Sequence, residues 1–295
     1  MANHKEINEQ VMVITGASSG IGLCTALMAA ERGAKLVLAA RSKATLLDVV
    51  EEIHSLGGEV ISVVADVGDR AQVENIAQEA IAKFGRIDTW VNDAGVSIYG
   101  RLDEVSEEDS RKLFDTNFWG VVNGSLTALP YLRASQGALI NIGSEVSDAV
   151  IPLQGMYSAS KHAVKGFTDA LRVEIEEVDK DEMTITLIQP TAVNTPYPEH
   201  AMNYMDKEPK LPDPMIDPQQ VADAILNAAV EGGRDVRVGS MAVMNTMLSK
   251  MMPSIADKLS AKQITRQQKD SMPYNPSGAL YEPSETGRIY GVPNH

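Results

Sequence analysis

The chain has 295 residues, 44% of them hydrophobic, enough for one domain around a single large core. Its net charge of −14 opposes binding to nucleic acid or to an anionic membrane surface, since both need concentrated lysine and arginine. The lone Cys24 excludes an internal disulfide, the first ten residues hold no apolar leader, and no apolar run approaches the ~20 residues of a spanning helix, so a soluble cytoplasmic protein is expected.

Short β-rich apolar runs alternate with longer stretches of helical periodicity. The runs fall at residues 11–15, 36–40, 60–65, 90–92, 139–142 and 184–188, with a last short one at 236–238. Runs apolar on both faces and separated by amphipathic helices predict an α/β fold, a doubly wound parallel sheet covered on both sides and joined by right-handed crossovers.

The first run leads into Thr15-Gly16-Ala17-Ser18-Ser19-Gly20-Ile21-Gly22. Gly16 and Gly20 allow backbone turns closed to other residues, Gly22 lets helix and strand approach, and the helix start offers free N–H groups to an anion such as pyrophosphate. The second run ends at Ala40-Arg41-Ser42, with no carboxylate where dinucleotide folds hold a ribose 2′-hydroxyl. A guanidinium there can meet a 2′-phosphate in a bidentate pair, assisted by Ser18 and Ser42, which favours NADP; the alternative is a solvated surface cation. The next two runs end at Asp66-Val67 and at Asn92-Asp93-Ala94-Gly95.

Ser144 follows the fifth run, and Tyr157-Ser158-Ala159-Ser160-Lys161 opens a helical stretch. The i, i+4 spacing puts phenol and ammonium on one helix face. Lowering a phenol from about 10 to neutral pH takes about 4 kcal/mol of preferential phenolate stabilisation, which a nearby ammonium helps to supply. After Pro190, prolines at 196, 198, 209, 212, 214 and 218 exclude a continuous helix, and residues 191–218 read as a mobile loop or lid. Helical pattern returns at 219–231, and a Met-rich amphipathic helix over 242–262, with methionines at 244, 247, 251 and 252, is expected to serve core packing. The end of the chain reads as irregular, yet Leu280, Tyr281, Ile289 and Tyr290 interrupt its polar character. Such side chains suggest docking over a cofactor or active-site mouth of the same or a neighbouring subunit, the alternative being a disordered terminus.

Taken together, the TGxxxGxG turn, the Asn-x-Ala-Gly segment, Asn117, Ser144 and the YxxxK pair, spread over residues 8–240, resemble the short-chain dehydrogenase/reductase family. The resemblance implies a Rossmann-type sheet of about seven strands in the order 3-2-1-4-5-6-7, one domain over residues 1–240, and a C-terminal helix and tail over 241–295. It implies an oxidoreductase using NADP(H) rather than NAD(H), moving a hydride between nicotinamide C4 and a carbonyl or secondary alcohol carbon, with no metal. Asn117, Ser144, Tyr157 and Lys161 would form the catalytic tetrad. Ser144 would bind the substrate oxygen, Tyr157 would act as general acid or base, Lys161 would also bind the nicotinamide ribose, and the Asn117 backbone would hold a water linking Lys161 to solvent.

Cofactor contacts are implied at Gly16, Ser18, Ser19, Gly20, Ile21 and Gly22 for the pyrophosphate. Arg41 and Ser42 would serve the 2′-phosphate, Asp66 and Val67 the adenine. Asn92, Ala94 and Gly95 would border the dinucleotide, and Pro190, Val193 and Thr195 the carboxamide. A homodimer or homotetramer built on helices near 108–133 and 156–178 is implied as well. Two positions depart from the family pattern: Asp93 stands for asparagine and Thr191 for glycine. Loops at 97–99, 145–146, Met156 and 197–215 are expected to shape the substrate pocket without naming a substrate, and Glu145 reads as a solvated carboxylate or a recognition group for a polar substrate. A sensor or scaffold that binds NADP without turnover is the alternative function, although it has no need of Ser144, Tyr157 and Lys161 together.

Overall fold

The computed structural model describes residues 4–284 and 287–292. Its strands are β1 (Val11–Thr15), β2 (Lys35–Ala40), β3 (Glu59–Val64), β4 (Thr89–Asn92), β5 (Ile98–Tyr99), β6 (Ala138–Ile142), β7 (Thr184–Pro190), β8 (Met202–Asn203) and β9 (Asp235–Val238). Seven of them form one parallel sheet in the order β3-β2-β1-β4-β6-β7-β9, which is 3-2-1-4-5-6-7 when only its own strands are counted. The two remaining strands, β5 and β8, pair with each other in parallel, Ile98 opposite Met202, and the apolar pattern alone did not announce them.

Helices are α1 (Gly20–Glu31), α2 (Lys43–Ser55), α3 (Arg70–Phe84), α4 (Glu107–Phe114), α5 (Gly120–Ser135), α6 (Gly155–Arg172), α7 (Tyr197–His200), α8 (Pro218–Glu231), α9 (Ser240–Met251) and α10 (Pro253–Ala261). The alternating pleat explains why the central strands are apolar throughout. Met12 and Ile14 project into one core with Leu36, Leu38, Leu23 and Ile225, whereas Val13 projects into the other with Val37, Ile76 and Leu132. Each such buried aliphatic side chain contributes about 1.5–3 kcal/mol relative to exposure.

Caps set the helix limits. Asp69 accepts from the Ala71 amide at the start of α3, Gly85 closes its end in the left-handed region, and Asp217 accepts from the Gln219 amide before Pro218. The Met-rich stretch departs from expectation, because the single helix over 242–262 is two. Pro253 lacks an N–H and disfavours helical geometry before it, so Met252 takes φ −139° and separates α9 from α10. The packing role is also only partly met, since Met244, Met247, Met251 and Met252 are exposed. Within residues 191–218, α7 and β8 are short ordered elements, and the Val193–Ile216 bridge ties the segment's two ends together. No helix among the described residues is long and apolar enough to cross a membrane.

The strand order reverses direction between β1 and β4. The loops that follow the carboxyl ends of β1, β4, β6 and β7 therefore converge on one crevice, the place where open parallel sheets bind ligands.

Candidate active site

The glycine turn occupies one end of this crevice. Gly16 has φ +73°, and a Cβ there would stand 2.8 Å from Ala94 Cα; one on Gly22 would stand 2.4 Å from the Gly16 carbonyl oxygen. Neither position admits a side chain. Thr15 Oγ1 accepts from the Asp93 and Ala94 amides at 3.2 and 3.3 Å, which ties the turn to the end of β4. Gly16, Ser18, Ser19, Gly20 and Ile21 line the cleft, as do Ala94 and Gly95 opposite them. Gly22 stands behind the turn and serves its packing.

Arg41, Ser42, Asp66 and Val67 line the far end of the same cleft. The Ser42 hydroxyl is engaged as the cap of α2, donating to Thr45 Oγ1 at 2.9 Å and accepting from the Thr45 amide. Asp66 accepts from Lys112 at 2.9 Å and from the Gly68 amide, and these bonds outweigh its partial burial to hold its carboxyl below the usual range. Arg41 is not solvated. Its Nη1 donates to the carbonyls of Leu280 and Tyr281, and its Nη2 to those of Ala279 and Glu282.

At the other end, Ser144 begins a short 3₁₀ turn after β6, and Tyr157 and Lys161 lie one turn apart on α6. The Lys161 ammonium donates to the Ile142 carbonyl at 2.8 Å and sits 5.7 Å from the centre of the Tyr157 ring. The side chains of Ser144 and Tyr197 flank the Tyr157 phenol, and both favour the phenolate. Burial acts more strongly and pushes the phenol up to about 12, with the carboxylates of Asp93 and Glu145 adding to the rise. Burial likewise lowers Lys161 to about 8, so at neutral pH the ammonium is charged and the phenol carries its proton.

Asn117 lies in a π-helical turn, Asp115–Trp119, between α4 and α5. Its amide donates to the Val96 carbonyl at 2.9 Å and to Ser160 Oγ at 3.1 Å, and its Oδ1 accepts from the Val96 amide, so its side chain joins this turn to the end of β4 and to α6. It does not line the cleft. The side chain of Asn92 is engaged elsewhere as well. It turns into the sheet, accepting from Trp90 Nε1 and donating to Asn141 Oδ1 at 2.8 Å, so its side chain joins β4 to β6 instead of bordering the cleft. Pro190, Val193 and Thr195 do line the cleft, beside Thr191.

The two departures from the family pattern now have surroundings. Burial raises Asp93 to about 7, against the pull of Lys161 and the Gly22 amide, so near neutral pH it is half protonated and regains part of the donor capacity of an asparagine. Thr191 donates from its amide to the Val238 carbonyl, and its side chain hydrogen-bonds Glu145. Glu145, which also accepts from Asn245 Nδ2 at 2.8 Å, is thereby a largely buried wall residue rather than a solvated carboxylate.

Tyr197 and His200 come from the loop expected to shape the pocket, whereas Gln154 and Ile151 were not singled out from the sequence. Tyr197 sits with its ring 5.4 Å from that of Tyr157 and its hydroxyl 2.7 Å from both Ser97 Oγ and Gln154 Oε1. Gln154, Ile151 and His200 complete the lining beside the expected Ser97, Glu145 and Val146, whereas Met156 stays outside it. No local pattern marks Gln154 or His200, because each acquires its place from a distant loop.

A sheet with this order and a crevice that joins a glycine turn to a serine, tyrosine and lysine define a dinucleotide-fold oxidoreductase. The model of the short chain dehydrogenase family matches residues 10–204, and the chain belongs to that family. It is 44% identical over 283 residues to an uncharacterized oxidoreductase, YxnA, of Bacillus subtilis, a match covering 94% of this chain and 79% of the relative. Among solved structures it is similar to a short chain dehydrogenase/reductase from Burkholderia phymatum in complex with NAD, with a TM-score of 0.77, 26% identity and coverage of 91% of this chain and 99% of the other. An alcohol dehydrogenase from Thermococcus sibiricus complexed with 5-hydroxy-NADP superposes with a TM-score of 0.69 at 26% identity, covering 79% of this chain and 97% of that one.

Proposed function

We propose that the protein is an NADP(H)-dependent oxidoreductase that interconverts a carbonyl and a secondary alcohol, with Tyr157 as general acid and base. The observation that carries this reading is that Ser144, Tyr157 and Lys161 line one cleft that continues to the glycine turn, with the Lys161 ammonium 5.7 Å from the centre of the Tyr157 ring. The donor set fits a dinucleotide from end to end. The turn from Gly16 to Ile21 would hold the pyrophosphate at the start of α1, Asp66 and Val67 the adenine, Lys161 and Tyr157 the nicotinamide ribose, and Pro190, Val193 and Thr195 the carboxamide. Ala40 at the end of β2 leaves no carboxylate there to bind a ribose 2′-hydroxyl or to repel a 2′-phosphate, and Arg41 follows it, which favours NADP(H).

When bound, the nicotinamide exchanges a hydride with the substrate carbon. The protein's own groups handle the oxygen. Ser144 holds the carbonyl oxygen, and Tyr157, neutral at pH 7, donates its proton as charge develops there; in the opposite direction the phenolate accepts the proton of the alcohol. Lys161, charged at neutral pH, lowers the cost of the phenolate. Ile151, Val146, Leu211 and Pro212 supply an apolar wall for the substrate, and Ser97, Gln154 and Tyr197 a polar one. Residues 191–218 act as the lid of a single catalytic domain, which works in the cytoplasm as a homodimer or homotetramer.

The test follows absorbance at the nicotinamide band with NADPH and NADH across a panel of carbonyl compounds, using wild type and Tyr157→Phe. NADPH turnover that disappears in the variant supports the reading. Tight NADPH binding without turnover on any carbonyl would replace it with a sensor.

A further inference from the structure

Residues 279–284 and 287–292 lie against the mouth of the dinucleotide cleft. Leu280 is fully buried against Val96, Ile98 and Leu113, Ala279 and Pro283 line the cleft itself, and the Arg288 carbonyl accepts from the Gly20 amide at 2.9 Å. The segment meets the cleft mainly through main-chain groups; the rings of Tyr281 and Tyr290 stay partly exposed, Tyr281 reaching Asp109 and Tyr290 reaching Asp217. Its central hold is Arg41.

A guanidinium carries four N–H bonds on its two terminal nitrogens. In Arg41 these meet four consecutive carbonyls, those of residues 279–282, at 3.2 Å to Leu280 and 3.1 Å to Tyr281. The paired N–H groups that a phosphate would engage in bidentate fashion are thus committed to the chain's own tail. Of the five donors only Nε–H lies outside these bonds, so a phosphate gains a pair of N–H groups only by displacing carbonyls, since carbonyl and phosphate oxygens are all acceptors and repel one another across shared donors. A ribose 2′-hydroxyl can join the arrangement without displacing them, since it is neutral and donates to a carbonyl.

We propose that Arg41 is a latch contested by two partners: the carbonyls of residues 279–282 hold it in the closed state, and the 2′-phosphate of NADP(H) takes it by releasing the tail. Residues 279–282 then stay on Arg41 with NAD(H) and leave it with NADP(H), whereas the bond from the Gly20 amide to the Arg288 carbonyl yields to the pyrophosphate of either cofactor. This deepens the proposed function and rests on its reading of Arg41 as the 2′-phosphate site. The latch also lowers NADP(H) affinity in the full-length chain, since part of the phosphate's interaction with Arg41 is offset by the loss of four carbonyl bonds.

Hydrogen–deuterium exchange of the full-length protein, alone and saturated with NAD+ or NADP+, tests the latch. The Ala279 amide donates to the His200 carbonyl, so peptides over 273–284 report the docking of residues 279–282. NADP+ is expected to speed their exchange severalfold over the free protein, and NAD+ to leave it unchanged or slow it. Equal protection by both cofactors would overturn the latch, and NADPH turnover in the same sample would then leave the functional reading standing. Truncation after Gly278 gives a second readout. Relative to full length, the affinity ratio of NADP+ over NAD+ is expected to rise about tenfold. An unchanged ratio removes the competition, and NADP+ binding by neither form removes the 2′-phosphate reading of Arg41 together with the latch.

Discussion

Lys161 holds its ammonium 5.7 Å from the centre of the Tyr157 ring while donating to the Ile142 carbonyl at 2.8 Å. The carbonyl bond fixes the charge at the base of α6, so the phenol meets a positioned cation instead of a mobile one. Lys161→Met removes the charge with little loss of volume. Oxidation of an alcohol needs the phenolate, and without the ammonium the phenolate forms only at higher pH. The kcat/KM profile for oxidation is expected to move its rising limb to the alkaline side, with a loss of about 10²–10⁴-fold near neutrality. A profile with the same limb would show that Lys161 does not act on Tyr157.

Asp93 supplies a stability test with a defined sign. Its folded pKa of about 7 lies above its ordinary value of 3.8, chiefly because of burial, so the folded state holds the proton more tightly than the unfolded one. The stability it contributes is complete below pH 3.8 and is lost as pH rises toward 7. Asp93→Asn keeps the shape and carries no proton to lose. The difference in unfolding free energy between variant and wild type, read from denaturant titrations, should therefore grow from pH 4 to pH 7 in favour of the variant, by an amount on the order of 1–4 kcal/mol. A flat difference across that range would count against the burial of this carboxyl.

Gly22 and Gly57 separate close approach from backbone freedom. A Cβ on Gly22 would stand 2.4 Å from the Gly16 carbonyl oxygen and 2.8 Å from Asp93 Oδ2, whereas one on Gly57, at φ +85°, meets nothing within 4 Å. Gly22→Ala is expected to cost about 3 kcal/mol or more, because helix α1 must move away from β1. Gly57→Ala should cost about 1–2 kcal/mol, from its left-handed conformation alone. Denaturant midpoints that rank them in the reverse order would contradict the packing at the turn.

Leu280→Ala removes the apolar anchor of the tail from its pocket among Val96, Ile98 and Leu113. Truncation of a fully buried leucine costs about 2–5 kcal/mol. Because few other contacts hold the segment, that cost is expected to release it locally, making residues 273–284 sensitive to limited proteolysis while the main melting transition shifts little. Equal resistance to protease in variant and wild type would mean that the carbonyl bonds to Arg41 suffice without the leucine.

The seven main strands were legible because their identity is local. A run such as Val11 to Thr15 that is apolar on both faces can be satisfied only between two helical layers, and the pattern predicts this without knowledge of any partner. The same holds for the glycine turn, whose sharp φ at Gly16 is written in the residue type, and for Tyr157 and Lys161, whose shared face follows from the helix repeat. Expectations slipped where an isolated residue had two available directions. Asn92 sits at the end of β4 beside the cleft, and only its bonds to Trp90 and Asn141 show that its side chain turns into the sheet. Pro253 was visible in the sequence and does end α9, so the single long helix was a failure to weigh a known breaker.

By itself, then, the sequence determined where the seven main strands fall, the sharp glycine turn and the shared helix face of Tyr157 and Lys161, because each rests on spacing within a strand, a turn or a helix. The sheet order came only as what the family resemblance implies. Tertiary structure alone decided that Tyr197 stands against Tyr157, that Glu145 is buried on Thr191 and Asn245, and that Arg41 is held by carbonyls of residues 279–282. Backbone carbonyls have no residue identity, so nothing in the letters marks which of them a guanidinium will find. That partner is chosen only when the chain's end returns to the mouth of the cleft.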